Sequence, residues 1–170
     1  FEGDQVRESK PKLMLSGAYH FNNKAKRQAG VLGDQLYEAR DLKSILFDAL
    51  LKYKGFALSS SYMARQTSDP VTSNDEGLES IVYEGQGFDI QPSYLFANNW
   101  EIIGRYSHIS PDQEVISHFP IHDQYTLGLT KYIWEHAFKL QLEATMDQFN
   151  FSDNTEKSNF YLRFQVEMGI

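Results

Sequence analysis

The chain has 170 residues, 41% hydrophobic and 14% aromatic, with no cysteine and a formal net charge of −7. The length suits one domain, the missing thiols exclude disulfides and thiolate metal sites, and the negative charge disfavours a nucleic-acid partner. Mean hydropathy is −0.48, and no run reaches the ~20 consecutive apolar residues of a membrane helix, whereas a membrane strand needs only every second residue apolar.

Period-two alternation predicts eight strands, over 12–22, 42–53, 56–67, 86–96, 100–109, 123–133, 138–149 and 159–170. Successive side chains of a strand point to opposite faces, so each segment sorts into two lists. One list is apolar. It holds Leu13, Leu15, Gly17, Tyr19 and Phe21, then Ile45, Phe47, Ala49, Leu51 and Tyr53, then Phe56, Leu58, Ser60, Tyr62 and Ala64. It continues through Phe88, Ile90, Pro92, Tyr94 and Phe96, then Trp100, Ile102, Gly104 and Tyr106, then Tyr125, Leu127, Leu129 and Ile133. Phe138, Leu140, Leu142, Ala144 and Met146 follow, and Phe160, Leu162, Phe164, Val166, Met168 and Ile170 close it. Lys131 is the exception, two residues from a turn, where its stem can snorkel. The opposite list is mostly polar.

Connections alternate short and long. Lys54-Gly55, Ala97-Asn98-Asn99 and Trp134-Glu135-His136-Ala137 make tight turns, whereas 23–41, 68–85, 110–122 and 150–158 are long and polar. Gly and Asn supply the positive φ of tight hairpins. Aromatics crowd the short turns: Tyr53 faces Phe56, Phe96 faces Trp100, and Ile133 faces Phe138, as expected of an interfacial girdle. Short turns, long loops and an apolar face nearly free of charge together read as an all-β fold, and the expectation is an antiparallel transmembrane β-barrel occupying 1–170 in the bacterial outer membrane, its short turns periplasmic and its long loops external. A soluble β-sandwich or large soluble barrel is the alternative, since aromatics pair across hairpins in any antiparallel sheet.

Trp100 to Lys139 carries Glu101-Ile102-Ile103-Gly104-Arg105-Tyr106-Ser107, Pro111 in a loop, Tyr125-Thr126-Leu127-Gly128, Lys131-Tyr132 and Lys139-Leu140-Gln141. With Gly17-Ala18-Tyr19-His20-Phe21-Asn22-Asn23 and Lys52-Tyr53-Lys54-Gly55-Phe56, this resembles the phosphate-selective porin O/P family of Bacteroidetes-type bacteria. The resemblance implies a 16-stranded, trimeric, water-filled porin of which these strands are the C-terminal half. The opening Phe1-Glu2-Gly3-Asp4 then reads as a chain already in progress. A complete small eight-stranded barrel, its lumen filled by side chains, is the alternative.

The polar list supplies the expected pore lining: Lys12, Lys52, Arg65, Arg105, Lys139 and Arg163 against Asp48, Asp89, Glu101, Glu143, Asp147 and Glu167. Lys52, Arg65, Arg105, Lys139 and Arg163 are the candidate anion contacts, with Arg105 at the position the resemblance marks. Phosphate selection needs an uninterrupted basic track, and this half-lumen is charge-balanced; paired charges that satisfy one another are the plainer reading. Loop 68–85, with Asp69, Asp75, Glu76, Glu79, Glu84 and no Lys or Arg, is expected to be solvated and lacks calcium-loop spacing. Lys24, Lys26 and Arg27 in 23–41 could meet lipopolysaccharide phosphates or a neighbouring subunit. The five histidines fall at predicted strand ends or in loops; His118 and His122 on a loop do not share a face as a metal pair would. Ser107, His108 and Asp112 do not make a triad by adjacency. The expected partners are therefore the lipid bilayer, lipopolysaccharide, small solutes or anions, and a homotrimer or larger envelope complex. No cofactor, metal or enzymatic reaction is expected. A plugged docking barrel and a membrane-embedded hydrolase are the competing readings.

Overall fold

The computed structural model describes residues 3–135 and 137–169; the expectations for Phe1, Glu2, His136 and Ile170 lie outside them. The strands are β1 (Lys12–Arg27), β2 (Gln35–Tyr53), β3 (Phe56–Gln66), β4 (Val71–Ser73), β5 (Glu79–Ile81), β6 (Gly85–Leu95), β7 (Trp100–Pro111), β8 (Ile121–Trp134), β9 (Phe138–Asn150) and β10 (Glu156–Met168). Eight form one antiparallel meander in the order β1-β2-β3-β6-β7-β8-β9-β10, and β4-β5 is a separate two-stranded hairpin.

The sheet does not close: among the described residues β1 and β10 are free edges, so the alternative of a complete small eight-stranded barrel is corrected to an open wall. The physical reason is circumference. A closed eight-stranded barrel has an interior just wide enough for side chains to fill. Here one face carries Arg, Lys, Glu and Gln side chains and also receives the segment 3–8. Three further expectations change. Strands β1 and β2 run on through most of 23–41, aided by a bulge near Lys24 (φ 54°), whose N–H bonds Asp41 Oδ1 at 2.8 Å. Loop 68–85 is built rather than merely solvated, containing β4 and β5 with Val82 fully buried. A bulge after Tyr132 brings Trp134, not Ile133, opposite Phe138.

In-register pairing carries the two faces across the whole sheet. The apolar rows run Leu15–Ala49–Ser60–Ile90–Tyr106–Tyr125–Met146–Phe160 and Leu51–Leu58–Pro92, with Ile102–Leu129–Leu142–Phe164 beyond. Nothing among the described residues packs over this face. Leu15, Leu127, Phe160, Leu162 and Phe164 remain 63–70% exposed, so there is no second layer of a sandwich. Toward the long loops the same face turns polar at Lys43, Gln66, Gln86, His108, Asp123, Gln148 and Ser158. Within this boundary Tyr106 and His108 both bond Asp123 Oδ1, at 2.7 and 2.8 Å. At the short-turn end lie Tyr53, Phe56, Tyr94, Phe96, Trp100, Trp134 and Phe138. Lys131 bends there as its position suggests, donating to the Asn98 carbonyl at 2.7 Å and lying 5.3 Å over the Trp100 ring.

A conventional core cluster lies beyond the polar boundary. Ala25, Leu36, Leu42 and Val82 cluster where β4-β5 leans on β2, tied by Tyr37 N–H to Thr72 Oγ1 and Arg40 Nε to the Asp69 carbonyl. At the opposite end, residues 3–8 strap two hairpins together. Asp4, buried, accepts the Glu8 and Gly55 amides, Lys54 N–H bonds the Glu8 carbonyl, and Arg7 reaches the Phe96 carbonyl at 2.6 Å.

The Lys54-Gly55 turn has φ of 48° and 87°, the two positive values of a type I′ hairpin. A Cβ on Gly55 would lie 2.6 Å from the Leu95 carbonyl oxygen. Gly55→Ala should therefore destabilise the folded chain by about 1–3 kcal/mol, read as a lower urea midpoint in detergent.

Candidate functional site

On the polar face, β6 to β10 form a trough of about 510 Å³. Antiparallel register puts residues of equal depth side by side, which is how β9 and β10 set Glu143 opposite Arg163 and Lys139 opposite Glu167. The walls are Gln91, Ile103, Arg105, Gln124, Thr126, Gly128, Gln141 and Thr145 with these charges and Tyr161. Of the residues expected to line a pore, the trough gathers Arg105, Lys139, Arg163, Glu143 and Glu167.

The charges are largely met. Arg105 Nε donates to Asp89 Oδ2 at 2.7 Å and Ser107 Oγ also bonds that oxygen. Lys139 Nζ lies 3.1 Å from Glu167, and Arg163 Nη1 lies 3.6 Å from Glu143. Arg105 and Arg163 keep about half their side-chain surface open to the trough, and pairs that exposed contribute only ~0–1 kcal/mol each. Thr126 and Thr145 share a hydroxyl bond of 2.9 Å, and Gln124 donates to Asp147 at 2.9 Å.

The remaining expected residues stand elsewhere on the same face. Asp48 accepts from Ser16 at 3.0 Å, and Arg65 Nε donates to Ser44 at 3.3 Å. Glu101 is almost wholly buried, accepting from Tyr132 at 2.6 Å. Gly3 sits so close to it that any side chain there would strike the carboxylate. Lys52 donates to the Gly3 carbonyl at 3.2 Å. The segment 3–8 thus covers the short-turn end of the polar face.

Two histidines expected near strand ends or in loops are strand residues with carboxylate partners: His108 meets Asp123, and His122 meets Asp147 at 3.0 Å. His118 lies 3.9 Å from Glu79, so His118 and His122 have different partners. Among the described residues no group of three ligating side chains could hold a metal. Ser107 bonds Asp89 on one face while His108 bonds Asp123 on the other, so those two do not join in a triad. Gln124, Gln141 and Tyr161 escaped the sequence reading, which searched for charge; counting residues back from the tight turns would have found them.

At the long-loop end, 67–85 and 112–119 fold together. Glu84 accepts the Thr67 amide at 2.9 Å while its carbonyl accepts Asp112 N–H. Burial, with Asp112 and Glu114 nearby, raises the Glu84 carboxyl pKa above its ordinary value despite the Thr67 bond. The folded state therefore holds this proton more tightly than the unfolded chain. Stability should fall as pH rises from about 4.5 through the folded-state pKa and level off above it. Glu84→Gln, which keeps an acceptor for Thr67, should abolish that decline in urea titrations at stepped pH.

No protein-family model matches this chain, and no curated protein or solved structure is detectably similar to it.

Proposed function

We infer that the chain supplies wall strands of a water-filled β-barrel in the bacterial outer membrane, through which small hydrophilic solutes, phosphate-like anions among them, diffuse passively. One observation carries the reading: the uncovered apolar face, continuous over eight strands and bounded at both ends. Soluble monomers rarely leave more than a few hundred Å² of contiguous apolar surface bare. On β2 the apolar residues run from Ile45 to Tyr53 before Lys43 interrupts them. At ~3.3 Å per residue that is roughly 26 Å along the strand, or ~20 Å across a bilayer at a ~40° tilt, close to the ~25 Å band of outer-membrane barrels. The trough on the reverse face then belongs to the conduit, where width and lining charge select solutes without chemistry.

The free edges fit the same reading, because backbone groups cannot face hydrocarbon unpaired; other strands, or other chains, complete the wall. The resemblance to phosphate-selective porins names the solute class, and the paired lining argues for weak rather than strong anion preference. A docking barrel without an open pore has one observation in its favour, the strap of residues 3–8 across the short-turn end.

Planar-bilayer recording on the full-length protein should show discrete conductance, and a folded protein that never conducts would favour the docking reading. Arg105→Ala should move the reversal potential in a salt gradient toward cation preference, since it leaves Asp89 unopposed; an unchanged potential would make Arg105 a plain wall residue. Leu142→Arg and Gln141→Arg separate the faces. The first puts a charge into lipid at a cost of ~2–4 kcal/mol and should block insertion into liposomes. The second points to the trough and should insert normally.

A further inference from the structure

Above the trough, at its long-loop end, the polar face carries a second recess of about 320 Å³ that the porin reading does not use. Its size sits at the lower end of ligand pockets, ~300–1,000 Å³. The sheet contributes Met63, Ile109, His122 and Phe149, and the loops contribute Tyr83, Phe119 and Pro120. Gly85 and Gly87 leave part of the floor without side chains. Two ring pairs make the walls: Tyr83 meets Phe119 edge-on at 4.9 Å, and His122 stacks on Phe149 at 4.3 Å. A strand face otherwise lined by Arg, Glu, Gln and Thr thus becomes oily for one short stretch.

One guanidinium stands in these oily walls. Arg65 lines the recess, bonds Ser44 and meets no carboxylate among the described residues. The Tyr83 ring lines the recess, while its hydroxyl is sealed from solvent and has no hydrogen-bond partner among the described residues. One cation beside aromatic walls matches a ligand with an anionic head and a flat apolar body.

We propose that this recess is a binding site for small aromatic carboxylates, the ring held among Phe119, Tyr83 and Ile109 and the carboxylate met by Arg65. The site deepens the porin reading, on which it rests for access from the mouth of the conduit. It would give amphipathic anions a stopping place that inorganic phosphate, lacking the apolar body, would not share.

The test is a titration of the full-length protein in detergent, with ¹³C-labelled aromatic rings followed by NMR. Phenylacetate should shift the Tyr83 and Phe119 rings saturably. Phenylacetamide, isosteric but neutral, should bind at least fivefold more weakly, and acetate at the same concentrations should shift neither ring. Arg65→Gln should erase the preference for carboxylate over amide. Phe119→Leu, a mild change that spares the fold, should weaken phenylacetate at least threefold, read from the Tyr83 ring. Equal binding of acid and amide by the unaltered protein, or an unchanged affinity in Phe119→Leu, would overturn the site. Conductance of the same preparation is read separately. Saturable ring shifts without conductance sink the porin reading and leave the site standing; conductance without ring shifts sinks the site alone.

Discussion

In-register pairing is what keeps the two surfaces of this sheet distinct. A strand alternates its side chains strictly, so a slip of one residue would carry every leucine of that strand to the charged face and every charge to the oily one. The penalty falls on whole strands at once, which makes the register cooperative across the meander. Tight turns pin it locally: Lys54 and Gly55 can adopt the paired positive φ that a two-residue loop demands, and Asn99 and Glu135 take positive φ at the other short connections. From those fixed points the pairing runs outward for ten or more residues. The depth at which Arg105 meets Asp89, or Arg163 meets Glu143, is therefore set by turns far from either pair.

The two surfaces differ in how they are stabilised. The trough side satisfies itself, through ion pairs, hydroxyl bonds and amides, and would lose little by the removal of any one exposed pair. The apolar side satisfies nothing within the chain; its leucines and phenylalanines stay bare. Among the described residues a cluster of buried apolar side chains forms at the projecting ends of β1 and β2, where Leu42 and Val82 meet, and a few more, such as Ala57 and Leu95, are buried near the short turns. For a sheet of this size the packed core is small.

The sequence made the alternation visible because period two is a local property. The eight long strands, their faces and the tight turns could all be read from neighbours in the chain. What escaped depends on distance or on short signals. Closure is a matter of circumference, which no strand encodes alone. The β4-β5 hairpin is three residues a side, and its turn at Asn74 and Gly77 was hidden among acids. The extension of β1 and β2 was obscured because 23–27 and 35–41 place polar side chains on both faces. The bulge after Tyr132 displaced one aromatic partner. In the trough, charge pointed to Arg105, Lys139 and Arg163, which share one face, whereas uncharged Gln141 and Tyr161 carried no comparable flag. The aromatic recess was invisible because Tyr83 and Phe119 come from loops whose fold no periodicity announces.

The two bare margins carry a kinetic consequence. β1 presents sixteen residues of half-used backbone and β10 thirteen. Each interior ladder joins strands that are near neighbours in sequence, so the hairpins can zip quickly and in order. Among the described residues the margins have no such neighbour. A partner strand from far along the sequence or from another polypeptide would make the slowest kind of contact a chain can make. Left unpaired, both rims act as templates for any extended segment nearby. The two rims are thus where this sheet is most exposed to wrong pairing.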